Sequence, residues 1–207
     1  MALSGGERLR EEDPYTGGWA AVAETRIVGL RSLFEVDLNR ERNEAVYSAP
    51  EMAWGLHLWK MPLTDEQVAH SLQEYDAFYG ELKLLLDHVA QRYRHFIILD
   101  LHAYNYRREG PEGPPADPAT HPEVNIGTGT MDRMRCGQLV ERFMKDLHEY
   151  DFLGRHLDVR ENVKFRGREL ARWIHEHYPD SACVLSVEFK KFFMDEWSGE
   201  GHEQQIK

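Results

Sequence analysis

Apolar positions along this chain recur with two different periods. From Val68 they return at Leu72, Tyr75, Tyr79, Leu82, Leu86, Val89 and Tyr93. Alternating steps of four and three lay one apolar stripe along a helix of about 30 residues. Thr64, with Gln67 three residues on, supplies a capping box at its start. "HFIILDLH" follows as a buried strand, and "ACVLSVEFKKFFM" reads the same way near the end of the chain. "TRIVGL" (25–30), "LFEVDL" (33–38) and "HLDVREN" (156–162) predict shorter strands from their β-branched and aromatic residues.

A second helix is expected over 131–149, with Met134, Leu139, Phe143 and Leu147 inward, and a short third over 168–178, closed by Pro179. Residues 1–18 are polar and glycine-bearing and read as an irregular lead-in. Residues 109–130 hold five prolines and four glycines and read as one long loop, a kind of segment that tends to be functional. No internal repeat interrupts the pattern. Strands alternating with helices argue for an α/β layered fold, one domain over 1–207, in which ligands sit beyond the carboxyl ends of strands.

Composition narrows the function. The chain is 42% hydrophobic and 29% charged, enough apolar material for a core. Its net charge of −11 repels phosphate backbones, which argues against nucleic acid. No apolar run reaches the roughly 18–20 residues of a membrane span, and "MALSGGERLREED" is not built like a secretory signal. Cys136 and Cys183 form no CxxC, so buried thiols in a reducing, cytoplasmic compartment are expected.

Several residues could carry chemistry. His102 ends the strand "FIILDLH" and is trailed by Tyr104, Asn105, Arg107 and Arg108; it is either a hydrogen-bonded strand-end histidine or one arm of a metal site. Asn39 and Arg40 follow "FEVDL" and either hold a carboxylate or begin a solvated turn. Glu188 lies inside the apolar "LSVEFKK", where it is either salt-bridged to Lys190 on the same strand face or raised in pKa toward a general base. Glu12 and Asp13 are hard oxygen donors before Pro14, or simply an exposed acidic loop. "NIGTGT" (125–130) lacks the lysine of a P-loop and reads as a pocket-lining turn. His175 and His177, two apart on one helix, cannot chelate together, and His70 with Glu74 reads as a solvated pair.

Taken in order, "EEDPYTGGWA", "FEVDLNRERNEAVY", "LDLHAYNYRR", "PEVNIGTGT", "ENVKFRG" and "VEFKKFFMDEW" resemble the N-formylglutamate amidohydrolase family. The resemblance implies a three-layer α/β/α sandwich with a mixed sheet, similar to the zinc carboxypeptidases. It implies a Zn2+ ion and hydrolysis of the amide of a small acidic N-acyl amino acid, while charge and hydropathy already argue against nucleic-acid and membrane partners. Carried over by motif, His102 and either Asp13 or Glu12 match zinc ligands, Glu188 the general base, and Asn39 and Arg40 the grip on the substrate carboxylate. Arg107 and Arg108 are added from their position alone.

The family's first zinc histidine lies upstream of the acidic motif, and no histidine precedes Glu12 here, so the chain resembles a member truncated at its N-terminus. Leu33 also stands where family members carry arginine, which implies weaker anion binding. His121 is a candidate substitute ligand. Two other functions stay open: a binding domain that has lost catalysis, and a zinc hydrolase of peptide or γ-glutamyl-type substrates.

Overall fold

The computed structural model describes residues 1–206. Ten regular elements follow one another: α1 (Gly5–Glu11), α2 (Thr16–Trp19), α3 (Asp65–Arg92), β1 (Phe96–Tyr104), β2 (Val124–Gly127), α4 (Arg133–Glu149), β3 (Val159–Glu161), α5 (Glu169–His177), β4 (Ala182–Lys190) and α6 (Glu203–Ile206). The strands form one sheet in the order β1-β4-β2-β3. β1 and β4 run parallel, as do β2 and β3, while β2 is antiparallel to β4. The protein is thus α/β with a four-stranded mixed sheet.

Strand alternation divides the core into two halves. Ala182 and Val184 of β4 pack with Phe96 and Ile98 under α3 and α5, through Tyr75, Tyr79, Leu82, Leu86, Ala171 and Ile174. Cys183, Leu185 and Val187 point the other way and pack under α4 with Cys136 and Val140. Successive strand residues face opposite sides, so helices cover both faces.

The capping box at α3 is formed: Thr64 Oγ1 accepts from the Gln67 amide at 3.2 Å and the Gln67 side chain accepts from the Thr64 amide at 2.9 Å. The buried part of the stripe runs from Tyr75 to Leu86, and Tyr93 is left exposed beyond the helix end. The two tyrosines do more than fill space. Tyr79 donates its hydroxyl to the Leu38 carbonyl at 2.7 Å and Tyr75 to the Arg40 carbonyl at 2.9 Å. The backbone on either side of Asn39 is therefore fastened to the longest helix.

Several expectations need correction. Residues 25–30 and 33–38 are not strands. Phe34 and Val36 are buried as alternation requires, but no neighbouring strand accepts their backbone; local turns do, such as the Glu35 amide to the Ser32 carbonyl at 3.0 Å. The lead-in is helical, started by Ser4 and Glu7 in a capping box whose S-x-x-E spacing was present in the sequence. β2 lies inside the expected loop over 109–130. Met134 is almost fully exposed, because Cys136 and Val140 define the inner face of α4. β1 is only partly buried, since it is an edge strand. Cys136 and Cys183 are not free thiols: a disulfide joins α4 to β4. No helix among the described residues is long and apolar enough to cross a membrane.

Candidate active site at the carboxyl ends of β1 and β4

The parallel register of β1 and β4 turns polar as the sheet runs out. Asp100 pairs with Ser186, His102 with Glu188 and Tyr104 with Lys190. These residues share the face that, one turn of pleat earlier, is apolar core. On the other side of β4, Asn125 of β2 is the partner of Glu188. His102, Glu188 and Asn125 therefore stand in one row across three strands, with Glu188 in the middle.

His102 is held on both ring nitrogens. Nδ1 lies 3.0 Å from Asp13 Oδ2, and Nε2 lies 2.9 Å from Asp100 Oδ1 and 3.2 Å from Asn39 Nδ2. Asp13 also accepts from the Ala103 amide at 2.9 Å, so it clasps the end of β1 at two points. Burial alone would lower the pKa of His102, but the carboxylates of Asp100, Asp13 and Glu188 raise it well above its ordinary value. The orientation of Asn39 is set from α5, whose Leu170 amide donates to Asn39 Oδ1 at 3.1 Å.

Glu188 has no ion pair with Lys190, which donates instead to the His121 carbonyl at 3.2 Å. Burial pushes the Glu188 carboxyl up to about 7; His102 pulls it down, and Asp13 and Asp100 add repulsion. A carboxyl near neutrality can both take and return a proton.

Asp13 is placed by a residue that sequence reasoning missed. Lys191 is 1% exposed, and its Nζ donates to the Arg10 and Glu12 carbonyls at 2.5 and 2.7 Å and to Asn105 Oδ1 at 2.9 Å. Burial brings its pKa down to about 8. The lysine ties the end of α1 to the end of β4. A buried lysine leaves no mark in sequence, because lysines ordinarily keep their ammonium in water.

The other expected site residues are less central. Glu12 turns to Ser32 Oγ at 2.5 Å and Arg8 at 3.6 Å, leaving Asp13 to meet His102. Arg40 lies over the Tyr47 ring at 4.4 Å and donates to the Met52 carbonyl at 3.1 Å, making none of these contacts with the His102 cluster. Arg107 is drawn to the Pro111 carbonyl and to Asp195 at 3.6 Å, and Arg108 to Glu11 at 3.3 Å. His121 accepts from Lys164 Nζ at 2.7 Å and sits apart from His102. Asp100 is the residue sequence could have offered: two positions before His102, it shares its strand face.

A catalytic zinc takes three protein ligands. His102 Nδ1 and Asp13 Oδ2 converge as two ligands would, and Asp100 at Nε2 is the kind of carboxylate that orients a ligating imidazole. Among the described residues, however, no three His, Cys, Asp or Glu side chains are grouped to hold a metal ion. The residues present fall short of a zinc site, and the chemistry below is not routed through one.

The fold defines an α/β protein with a four-stranded mixed sheet whose polar residues collect at the carboxyl ends of β1 and β4. The model of the N-formylglutamate amidohydrolase family matches residues 1–193, and the chain belongs to that family. A crystal structure of N-formylglutamate amidohydrolase from Ralstonia eutropha JMP134 is similar in fold, with a TM-score of 0.59 at 16% identity, covering 83% of this chain. The match spans 66% of that protein's chain, just under two thirds. No curated protein matches the chain.

Proposed function

We propose that the chain hydrolyses the amide of an N-acyl amino acid of the N-formylglutamate type, with Glu188 as general base. The observation that carries this reading is Glu188 itself, a carboxyl pushed to about 7 beside a histidine clamped by two acids. Glu188 takes a proton from water, and the water oxygen bonds to the acyl carbon. The cationic His102 offsets the charge developing on the acyl oxygen. Glu188 then passes its proton to the leaving nitrogen as the C–N bond breaks.

Asn39 orients the substrate carboxylate, with Arg168 in the guanidinium role expected of Arg40, Arg107 and Arg108. In a zinc-dependent form of this reading Asp13 and His102 would be two of the ligands, and the ion would polarise the attacking water. The proposal extends to one zinc-carboxypeptidase-like domain with three α/β/α layers.

Formate release from N-formylglutamate, with and without added zinc, tests the reading. Glu188→Gln is expected to lower kcat by about 10²–10⁴-fold. A folded chain that cleaves no acyl amino acid under either condition, or a Glu188→Gln variant as active as the parent, overturns it. Retained ligand binding with no turnover favours the binding domain instead.

A further inference from the structure

The segment after β3, "NVKFRGR" (162–168), arches over the row that contains Glu188. It is held there by Asn125. Asn125 Oδ1 accepts from the amides of Val163, Lys164 and Phe165 at 3.0, 2.8 and 3.3 Å, and its Nδ2 donates to the Phe165 carbonyl at 2.8 Å. At one foot of the arch, Asn162 exchanges hydrogen bonds with Thr128 at 2.9 and 2.8 Å. At the other, Gly167 has φ +86° and lies so close to Gly127 that a Cβ on Gly127 would meet its nitrogen at 2.5 Å. The arch is a fixed piece of backbone, and Asn125 is the strand neighbour of Glu188. Adjacent strands are about 4.8 Å apart, so the backbone of Lys164 lies within roughly 10 Å of that of Glu188.

The arch carries three cations, Lys164, Arg166 and Arg168, and Lys190 stands two residues beyond Glu188 on the same strand face. Among the described residues none of these four makes an ion pair, although the chain carries a net charge of −11. Their neighbours do: Arg160 with Asp158 at 2.9 Å, Arg155 with Glu123 at 2.8 Å and Arg172 with Glu169 at 2.6 Å. Lys164 and Lys190 are gathered instead on His121, one on Nε2 at 2.7 Å and the other on its carbonyl at 3.2 Å. Burial and the facing Lys164 lower the pKa of His121, and burial and Arg108 lower that of Lys164 itself. Glu123, the carboxylate that Lys190 influences, is already bonded to Arg155. Cations gathered without an ion pair of their own repel one another, a repulsion that an anion between them relieves.

Resting on the hydrolase reading above, we propose that Lys164 and Lys190 form a second anion subsite on the β2 side of Glu188, so that the substrate carries a carboxylate on each side of the scissile amide. Asn39 and Arg168 take the amino-acid carboxylate, and the two lysines take one at the far end of the acyl group. The substrate class is an N-acyl amino acid whose acyl chain is itself dicarboxylic. Hydrolysis adds water across its amide and releases a dicarboxylic acid and the free amino acid.

The test compares N-succinylglutamate with N-butanoylglutamate, which has the same acyl length without the terminal charge. The parent chain is expected to favour the succinyl compound at least tenfold in kcat/KM, and the Lys164→Met/Lys190→Met double variant to bring that ratio near one. Equal rates in the parent, or a ratio unchanged by the double substitution, overturn the subsite. If no acyl amino acid is cleaved, calorimetry with N-succinylglutamate decides separately. Binding weakened tenfold or more in the double variant supports the subsite while the hydrolase reading fails; no binding, or binding indifferent to the lysines, overturns the subsite as well.

Discussion

On the β1 side of Glu188, the imidazole of His102 meets Asp13 and Asp100, and the arrangement is braced from behind by Lys191. On the β2 side, the backbone is just as firmly held by Asn125, yet among the described residues Lys164, Arg166 and Lys190 make no ion pair, the Glu123 carboxylate that Lys190 influences being bonded to Arg155. One flank satisfies its charges within the chain, while the other leaves them for something else. Buried charge persists only when paired, so the first flank is bound up with stability. Exposed charge costs little when unpaired, so the second is free to serve a ligand.

Substitutions can break this contrast. The largest loss is expected at Lys191→Met, which strips three acceptors of their donor and frees the end of α1: about 3–5 kcal/mol in urea denaturation. A loss below about 1 kcal/mol would show that the ammonium contributes nothing net. His102→Ala comes next, leaving Asp13 and Asp100 without their cation. Because these side chains keep some solvent contact, about 2 kcal/mol is expected, again by denaturant titration.

A third expectation concerns acid. His175 accepts the Val184 amide on Nε2 at 3.0 Å and contacts Thr130 on Nδ1 at 2.9 Å. Burial, with Arg135 nearby, lowers its pKa from 6.5. The unfolded chain takes up this proton near 6.5 and the folded chain only at lower pH. Stability from this group is therefore complete above 6.5 and lost as pH falls through the folded value, by at most about 1.4 kcal/mol per unit. Melting curves from pH 7.5 to 5 should show a slope that His175→Asn reduces; identical slopes would remove His175 from the account. The smallest change is expected on the ligand flank, where Lys164→Met should shift stability by no more than about 0.5 kcal/mol. A loss as large as that of Lys191→Met would erase the distinction between the flanks.

Much of this was legible in one dimension. The stripe from Val68 to Leu86, with Thr64 and Gln67 ahead of it, needs only local spacing and capping to specify α3. Two nine-residue strands were readable from their apolar runs, and with them His102 and Glu188 as polar residues where those runs give way. Less could be read where alternation was present without a partner strand. Phe34 and Val36 are buried as a strand face would be, but nothing pairs with their backbone. The capping box at Ser4 was in plain view and marks a helix where glycines suggested none.

By itself the sequence determined which segments are helix and long strand, and which polar residues interrupt them, because propensity, periodicity and capping act over a few residues. Only the tertiary structure decided that Asp13 and not Glu12 meets His102, that Lys191 is buried, that Cys136 bonds Cys183, and that an arch of unpaired cations leans over Glu188. The first three of these join residues 89, 181 and 47 positions apart. Sheet register and helix packing bring such residues together, and no local spacing records which distant carboxylate, carbonyl or thiol will be waiting at the other end.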